Sequence, residues 1–574
     1  LRGVRRMRTR LVTRWVLFLS AVVLAALACD ASSEVQPTLA IPPTVAPIDL
    51  RPVEKISAGD QRTIIAQDAF DTSFDGWTFF AEEPTVGEAR HEGGALVAEI
   101  ELVPESVAVL FRDVSHLTAP VDGYSLTLSV QGRPFYLFLA ASEADGSNYQ
   151  LLLPVYPQDG EQEVHAPLAW FILSDASQDE NGQLDPAQLN QVGLLDASSF
   201  LGVFGLGTLR LEGVTYWTGS PEIAFRCGGD GEMREPLSVG VDAGFLPRGE
   251  EEHSQWTVNG SPIGPLSLFT AQGVNALRLR IWVGEKGESH AEYALELGRR
   301  ALDQGWDVYA VLFLSPDWAD VNKQPAPPEW EDLLLQERTD AIRIYAEDIT
   351  RRLLDAGIDP LYYAIGNEID YGISGVFAAI EERSANVLRR DIWPAEAELI
   401  KAGIDGVRAV DPEAKIMLHI ALSFDPFFSE AFFAAMRDLE VPFDLIGLSY
   451  YPSAMGPLSA MRFCQTLERL KTTIDLPVVI AEFAYPAEVP TGGPFGGWQY
   501  EVPGYPHTPR GQAEWLADFL TDMRIRADVV GAYYFSPTFY WSGELWGPFA
   551  LFDAEGEARP ALGAFSAGVS PVEP

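Results

Sequence analysis

Glu368 and Glu482 stand out because each follows a run that is otherwise apolar: Ala364-Ile365-Gly366-Asn367-Glu368 and Val478-Val479-Ile480-Ala481-Glu482. An ionised carboxylate in such a setting costs free energy unless it is paired or put to use. One use is structural, a buried ion pair with Arg278 or Arg280. These two arginines alternate in one strand-like run and therefore share a face. The other use is chemical. Cleavage of a glycosidic bond needs two carboxyl groups flanking it, one protonated to serve the leaving oxygen and one to attack the anomeric carbon. In that reading Glu368 is the acid/base and Glu482 the nucleophile. Retention expects a gap of roughly 5–5.5 Å between the carboxyl groups, and inversion roughly 6.5–9.5 Å.

The neighbours of the pair suit the same chemistry. Asn367 can hydrogen-bond a sugar 2-hydroxyl beside the acid. Tyr450 or Tyr451 can hold Glu482 ionised and oriented, and an arginine at 278 or 280 favours that anion.

These residues need a frame that brings distant segments to one mouth. From about residue 236 to 566, apolar runs alternate with amphipathic helical stretches. The runs are 237–244, 276–283, 306–314, 361–368, 415–420, 443–451, 477–483 and 529–536. The helical stretches include 291–304, 338–356, 395–410, 429–439, 459–473 and 511–526. Eight such units predict an α/β fold, a (β/α)8 barrel, in which function gathers at the C-terminal ends of the strands. Polar residues do follow the runs: Asn367 and Glu368 after the fourth, His419 in the fifth, Ser449, Tyr450 and Tyr451 in the sixth, Glu482 in the seventh. An open doubly wound sheet is the alternative, and no glycine-rich phosphate loop supports it.

Ahead of this region, residues 62–222 carry short alternating stretches such as 95–102, 125–130, 136–139 and 149–153, separated by Gly, Asp and Pro. They predict an all-β sandwich. Phe70-Asp71 and Phe74-Asp75-Gly76-Trp77 resemble the opening of jelly-roll modules on secreted carbohydrate enzymes. Sugar binding and plain packing both remain open for it.

The barrel region resembles glycoside hydrolase family 53, the arabinogalactan endo-β-1,4-galactanases of clan A. The resemblance rests on Trp318, Ala319, Asp320, Gln324, Pro327 and Trp330 at the family's spacing, and on segments 273–283, 366–369, 415–419, 443–452 and 550–556. Asp242 matches the family's strand-one aspartate. The resemblance implies a retaining endo-acting hydrolase of β-1,4-galactan or arabinogalactan with catalytic glutamates on strands four and seven. It implies substrate contacts from Asn367, Arg278, Arg280, Asp242, Trp318, Asp320, His419, Ser449, Tyr450, Tyr451, Phe535 and Trp541. Some bacterial members bind calcium through loops. No cofactor is expected here, because no calcium-ligand pattern is identified.

The chain also departs from the family pattern. A His-Tyr-Ser-Asp run is Phe313-Leu314-Ser315-Pro316, Trp-Glu-Pro is Phe535-Ser536-Pro537, and Ser-Ser after strand one is Gly244-Phe245. These changes leave room for two alternatives: a clan A β-glycanase acting on another polysaccharide, or a non-catalytic surface lipoprotein that captures glycans.

The first 28 residues read as a lipoprotein signal peptide. Arginines precede an apolar stretch that ends in Ala26-Leu27-Ala28-Cys29, which is similar to a bacterial lipobox. Cys29 would carry the lipid, and 29–61, rich in Pro, Ser and Thr, would form a tether. The expected location is therefore the cell surface or exterior, with membrane attachment through the lipid alone. Across 574 residues the formal charge is −42. Such a body repels nucleic acid and anionic lipid heads and leaves neutral or cationic ligands open; the family resemblance implies a polysaccharide substrate of β-galactan type as the partner, and a monomer is expected. Cys227 and Cys464 remain, and their spacing does not say whether they pair.

Overall fold

The computed structural model describes residues 62–566, apart from 72, 118, 175–176, 178, 180–183, 220–226, 228–236, 253–254, 285–286, 492–494 and 540–545. Cys29, the signal segment and the tether lie outside the described residues, as does Trp541.

Eight parallel strands close into a barrel: Ser238–Asp242, Ala276–Ile281, Asp307–Leu312, Tyr363–Ile365, Ile416–Ile420, Leu445–Tyr450, Val478–Phe483 and Val529–Phe535. These are the eight expected strands, called one to eight below. Side chains alternate between the barrel interior and the layer beneath the helices. Leu277, Leu279 and Ile281 face the helices, and Ala276, Arg278 and Arg280 face inward.

Below the mouth the interior is closed by aromatic rings. Tyr309 lies 5.0 Å from Tyr362 and 4.7 Å from Tyr533, and the hydroxyls of Tyr362 and Tyr533 are 2.8 Å apart. Gly240 makes room for this layer, since a Cβ there would stand 2.2 Å from the Tyr533 ring.

Two helices begin on a proline that follows a capping residue. Asp425 accepts from the amides of Phe427 and Phe428 at the start of Pro426–Asp438. Thr508 accepts from Gly511 at the start of Pro509–Arg524. Proline suits the first helical position, where its missing N–H would have had no partner. These helices therefore begin two or three residues before the expected starts, as does Trp393–Val410.

The N-terminal unit is two six-stranded antiparallel sheets. One is built around Gly205–Thr218, flanked by Ala95–Leu102 and Gly123–Gln131. The other is built around Phe135–Glu143, flanked by Asn148–Val155 and Leu189–Asp196. Its core includes Leu126, Leu137, Leu151 and Leu211, all essentially inaccessible. Cys227 and Cys464 form a disulfide, which settles the pairing that sequence left open. It ties the segment after the sandwich to the helix Pro452–Thr473 of the barrel.

Candidate active site

Arg278 is the hub of the barrel mouth. It is fully buried on strand two. Its Nε donates to Tyr309 Oη at 2.7 Å, so the aromatic floor holds it from below. Nη1 bonds Asp242 from strand one, and Nη2 donates to Asn367 Oδ1 at 2.5 Å. The same Nη2 lies 2.7 Å from Glu482 Oε1. Asp242 also pairs with Arg280 Nε at 3.2 Å. Both arginines therefore point inward, and the structural and chemical uses of Glu482 coincide in one contact.

On its other oxygen, Glu482 accepts a hydrogen bond from Tyr451 Oη at 2.7 Å. Burial pushes its carboxyl above the usual range, while Arg278 and Tyr451 pull it down. Burial raises Glu368 well above that range, and the negative charges of Glu482 and Asp320 add to it.

The hydrogen bonds around Glu368 agree with a protonated acid. Ser449 Oγ lies 2.6 Å from Glu368 Oε1 and 2.9 Å from His419 Nε2. His419 Nδ1 lies 3.1 Å from Asn367 Oδ1, which already accepts from Arg278, so Nδ1 must be the donor. Burial, then the charge of Arg278, drives the imidazole pKa well down, so His419 is neutral and Nε2 is an acceptor. Ser449 has one hydrogen to give. If it goes to His419, the remaining bond is filled by a proton on Glu368. An ionised Glu368 would take the serine hydrogen and leave Nε2 facing an oxygen lone pair.

Strand four stops at Ile365, so Glu368 lies in the loop beyond it rather than on its last residue. Glu368 adopts φ of 48° and Gly366 φ of 82°. A left-handed non-glycine residue costs about 1–3 kcal/mol and persists only where the surroundings hold it. Gln324 Nε2 donates to the carbonyls of Asn367 (2.8 Å) and Glu368 (3.2 Å). The Ile369 amide donates to His419 O at 2.9 Å. Asp370 accepts from the amides of Ala421 and Leu422, both at 2.8 Å.

Most residues singled out from sequence meet at this mouth. His419, Asp242 and Arg278 lie below its surface and orient other groups. Asp320 accepts from Trp318 Nε1 at 2.9 Å and from the amides of Asn322 and Lys323, which shapes the loop after strand three. Trp318 is half-buried, 5.6 Å from the ring of buried Phe535. Tyr450 does not join them. Strand alternation turns it outward between Ser449 and Tyr451, where it stacks 4.0 Å from Phe463 and 5.3 Å from Phe519.

Three aromatic residues at the mouth were not singled out from sequence. Trp498 and Trp546 lie 5.2 and 5.5 Å from Tyr451, and Phe495 lies 4.4 Å from Trp546. Phe535 lies 4.6 Å from Trp546. All three are half-buried. Aromatic rings in glycine-rich loops just after strands seven and eight were the available signal.

Among the described residues, two groups bring three metal-ligand atoms within 4.8 Å of one another: Glu368, His419, Glu482 and Glu143, Asp145, Asp179. Both nitrogens of His419 are engaged as above. In the second group Asp145 accepts from the Ser147 amide and Asp179 from Tyr149 Oη. We assign a metal to neither.

The sequence model of glycosyl hydrolase family 53 matches residues 238–565. An uncharacterised protein of the bgaB 5′ region from Niallia circulans is 32% identical over 58% of this chain and 95% of its own length. Arabinogalactan endo-β-1,4-galactanase A of Aspergillus niger is 27% identical over 49% of this chain and 79% of its own. The Ignisphaera aggregans GH53 catalytic domain superposes with a TM-score of 0.51 at 25% identity, covering 59% of this chain and 98% of that domain.

Proposed function

Because the chain belongs to glycosyl hydrolase family 53, and is therefore a glycoside hydrolase, we propose that it cleaves internal β-1,4 linkages of galactan or arabinogalactan with retention of configuration. Glu368 protonates the leaving oxygen. Glu482 attacks the anomeric carbon and forms a glycosyl-enzyme intermediate. Glu368, now ionised, then takes a proton from the water that releases the sugar. The observation that carries this reading is the separation of the pair. Oxygens of the two carboxylates lie within 4.8 Å, which favours the roughly 5–5.5 Å of retention over the roughly 6.5–9.5 Å of inversion. Asn367 Nδ2 spends one hydrogen on Ala319 O at 2.9 Å, and its second serves the sugar 2-hydroxyl. Trp498 and Trp546 offer faces for the apolar side of a sugar ring.

We also propose that the protein is exported and held at the cell surface by a lipid on Cys29. The Cys227–Cys464 disulfide suits an oxidising compartment.

The test is incubation of the mature protein with β-1,4-galactan, arabinogalactan, mannan and β-glucan, following the anomer first formed by NMR. Oligosaccharides appearing first as the β-anomer from a galactan support the reading. An α-anomer first would overturn retention, and cleavage of mannan or glucan alone would move the substrate. Glu482→Gln should lower kcat by about 10⁴-fold or more.

A further inference from the structure

The second sheet of the sandwich does not stand clear of the barrel. Tyr136, Phe138 and Leu152 point outward from it and pack on Leu422 and Phe424, in the loop after barrel strand five. Tyr136 Oη donates to the carboxylate of Asp425, the residue that caps the following helix. The ring of Tyr156 lies 5.1 Å from that of Phe427, tilted against it, in the first turn of that helix. Gly202 sits where a Cβ would lie 2.4 Å from the carbonyl of Ile380, in the loop after strand four. Arg462, on the helix after strand six, pairs with Asp159 and donates to Pro154 O of the sandwich. The sandwich thus grips the loops after strands four and five and the helix after strand six.

The loop it grips most closely holds the acid. Ala421 and Leu422 donate their amides to Asp370, two residues past Glu368. Ser423 Oγ donates to the carbonyl of Ser449, whose own hydroxyl lies against Glu368. Tyr136 therefore holds the 421–425 loop at Asp425, and that loop is hydrogen-bonded on its other side to Asp370, two residues past the acid/base, and to Ser449, whose hydroxyl contacts it.

We propose that the N-terminal sandwich is a working part of the active site, and that Tyr136 is a positioning residue for Glu368, acting through Asp425 and the 421–425 loop. The inference rests on the assignment of Glu368 as the acid/base. A sandwich that only tethered glycan would raise the local concentration of polymer and leave the chemical step alone. A sandwich that holds the acid affects proton delivery on any substrate. The groups facing Glu368 are Glu482 from strand seven, Asp320 from the loop after strand three, Asp370 from its own loop, Ser449 from strand six and neutral His419 from strand five. Tyr451, which donates to Glu482, and the amide of Val321, 3.4 Å from Glu368 Oε2, also face it. Loosening the loop admits water to this cluster and weakens the desolvation that keeps Glu368 protonated.

The experiment compares two galactobiosides in Tyr136→Phe and wild-type full-length protein. One carries dinitrophenol, a leaving group that needs no proton. The other carries methanol, which does. The variant should lower kcat on the methyl glycoside by about fivefold or more, with KM little changed. It should leave the step that releases dinitrophenol nearly unchanged, and it should move the basic limb of the methyl-glycoside pH profile to lower pH. Equal losses on both substrates would mean mere destabilisation and would overturn the proposal, as would no loss on either. Phe424→Ala, on the barrel side of the same contact, should reproduce the split, and a different pattern there counts against it. If the wild-type protein cleaves neither glycoside, the galactanase reading fails and not the coupling.

Discussion

At the scale of single residues, the mouth is a chain of alternating charge: Arg280, Asp242, Arg278, Glu482. Each charge has a neighbour of the opposite sign, which is what makes a fully buried arginine tolerable. Glu368 stands outside this chain. Its hydrogen-bond partners are a serine hydroxyl and one long contact from the Val321 amide. That difference separates the two environments: burial raises both carboxyls, and Glu482 alone has Arg278 and Tyr451 to pull its pKa back down. It also fixes a sign. Burial raises Glu368 most, and the charges of Glu482 and Asp320 raise it further. The basic limb of kcat/KM should thus lie above the usual carboxylate range. Asp320→Asn removes a negative neighbour, makes the Glu368 anion easier to form, and should move that limb to lower pH. A pH–rate profile of the variant checks this, and an alkaline shift would refute the assignment.

At the scale of elements, the helix Trp393–Val410 carries a polar anomaly. Glu396 is fully buried on its inner face, and neither carboxylate oxygen has a hydrogen-bond partner. Burial, with the nearby Asp370 charge, raises its pKa well above 4.5. The folded state thus keeps a proton that the unfolded chain releases. Its contribution is intact below about pH 4.5 and is lost as pH rises towards the folded pKa, at up to about 1.4 kcal/mol per pH unit. Glu396→Met, similar in volume and without charge, should therefore stabilise the protein, with a gain that grows from pH 4.5 upward. Urea unfolding at several pH values measures it. A gain independent of pH would show that Glu396 is not held protonated.

At the scale of the whole molecule, sandwich and barrel share a part-buried ion pair and an aromatic contact, and a disulfide spanning 237 residues ties the segment between them to the barrel. Cross-linking so long a loop restricts the unfolded chain strongly, and losing such a bond typically costs about 2–5 kcal/mol. Cys227→Ser with Cys464→Ser should lower the unfolding free energy by that order, and a thiol reductant should do the same to the wild type. Calorimetry in the presence and absence of reductant is the measurement. An unchanged transition under full reduction would show that the disulfide contributes nothing to stability.

The sequence by itself determined the class of fold and singled out the two glutamates. Eight apolar runs in alternation with amphipathic helices call for a parallel sheet covered by helices, and a carboxylate in such a run needs a reason to be there. Helix starts were less legible because proline reads as a breaker until its capping residue is seen. Tertiary structure decided which side chains face the mouth. On strand seven, Val479 and Ala481 already point inward, so strict alternation would send Glu482 out with Val478 and Ile480. The register between strands seven and eight breaks between Ile480 and Phe483, and that irregularity lets Glu482 turn in towards Arg278. Likewise nothing in the residue pattern joins Tyr136 to Asp425, which are 289 positions apart. Local periodicity records what a segment must bury. It does not record what a distant segment will place against it, because that contact is fixed only when the two units dock.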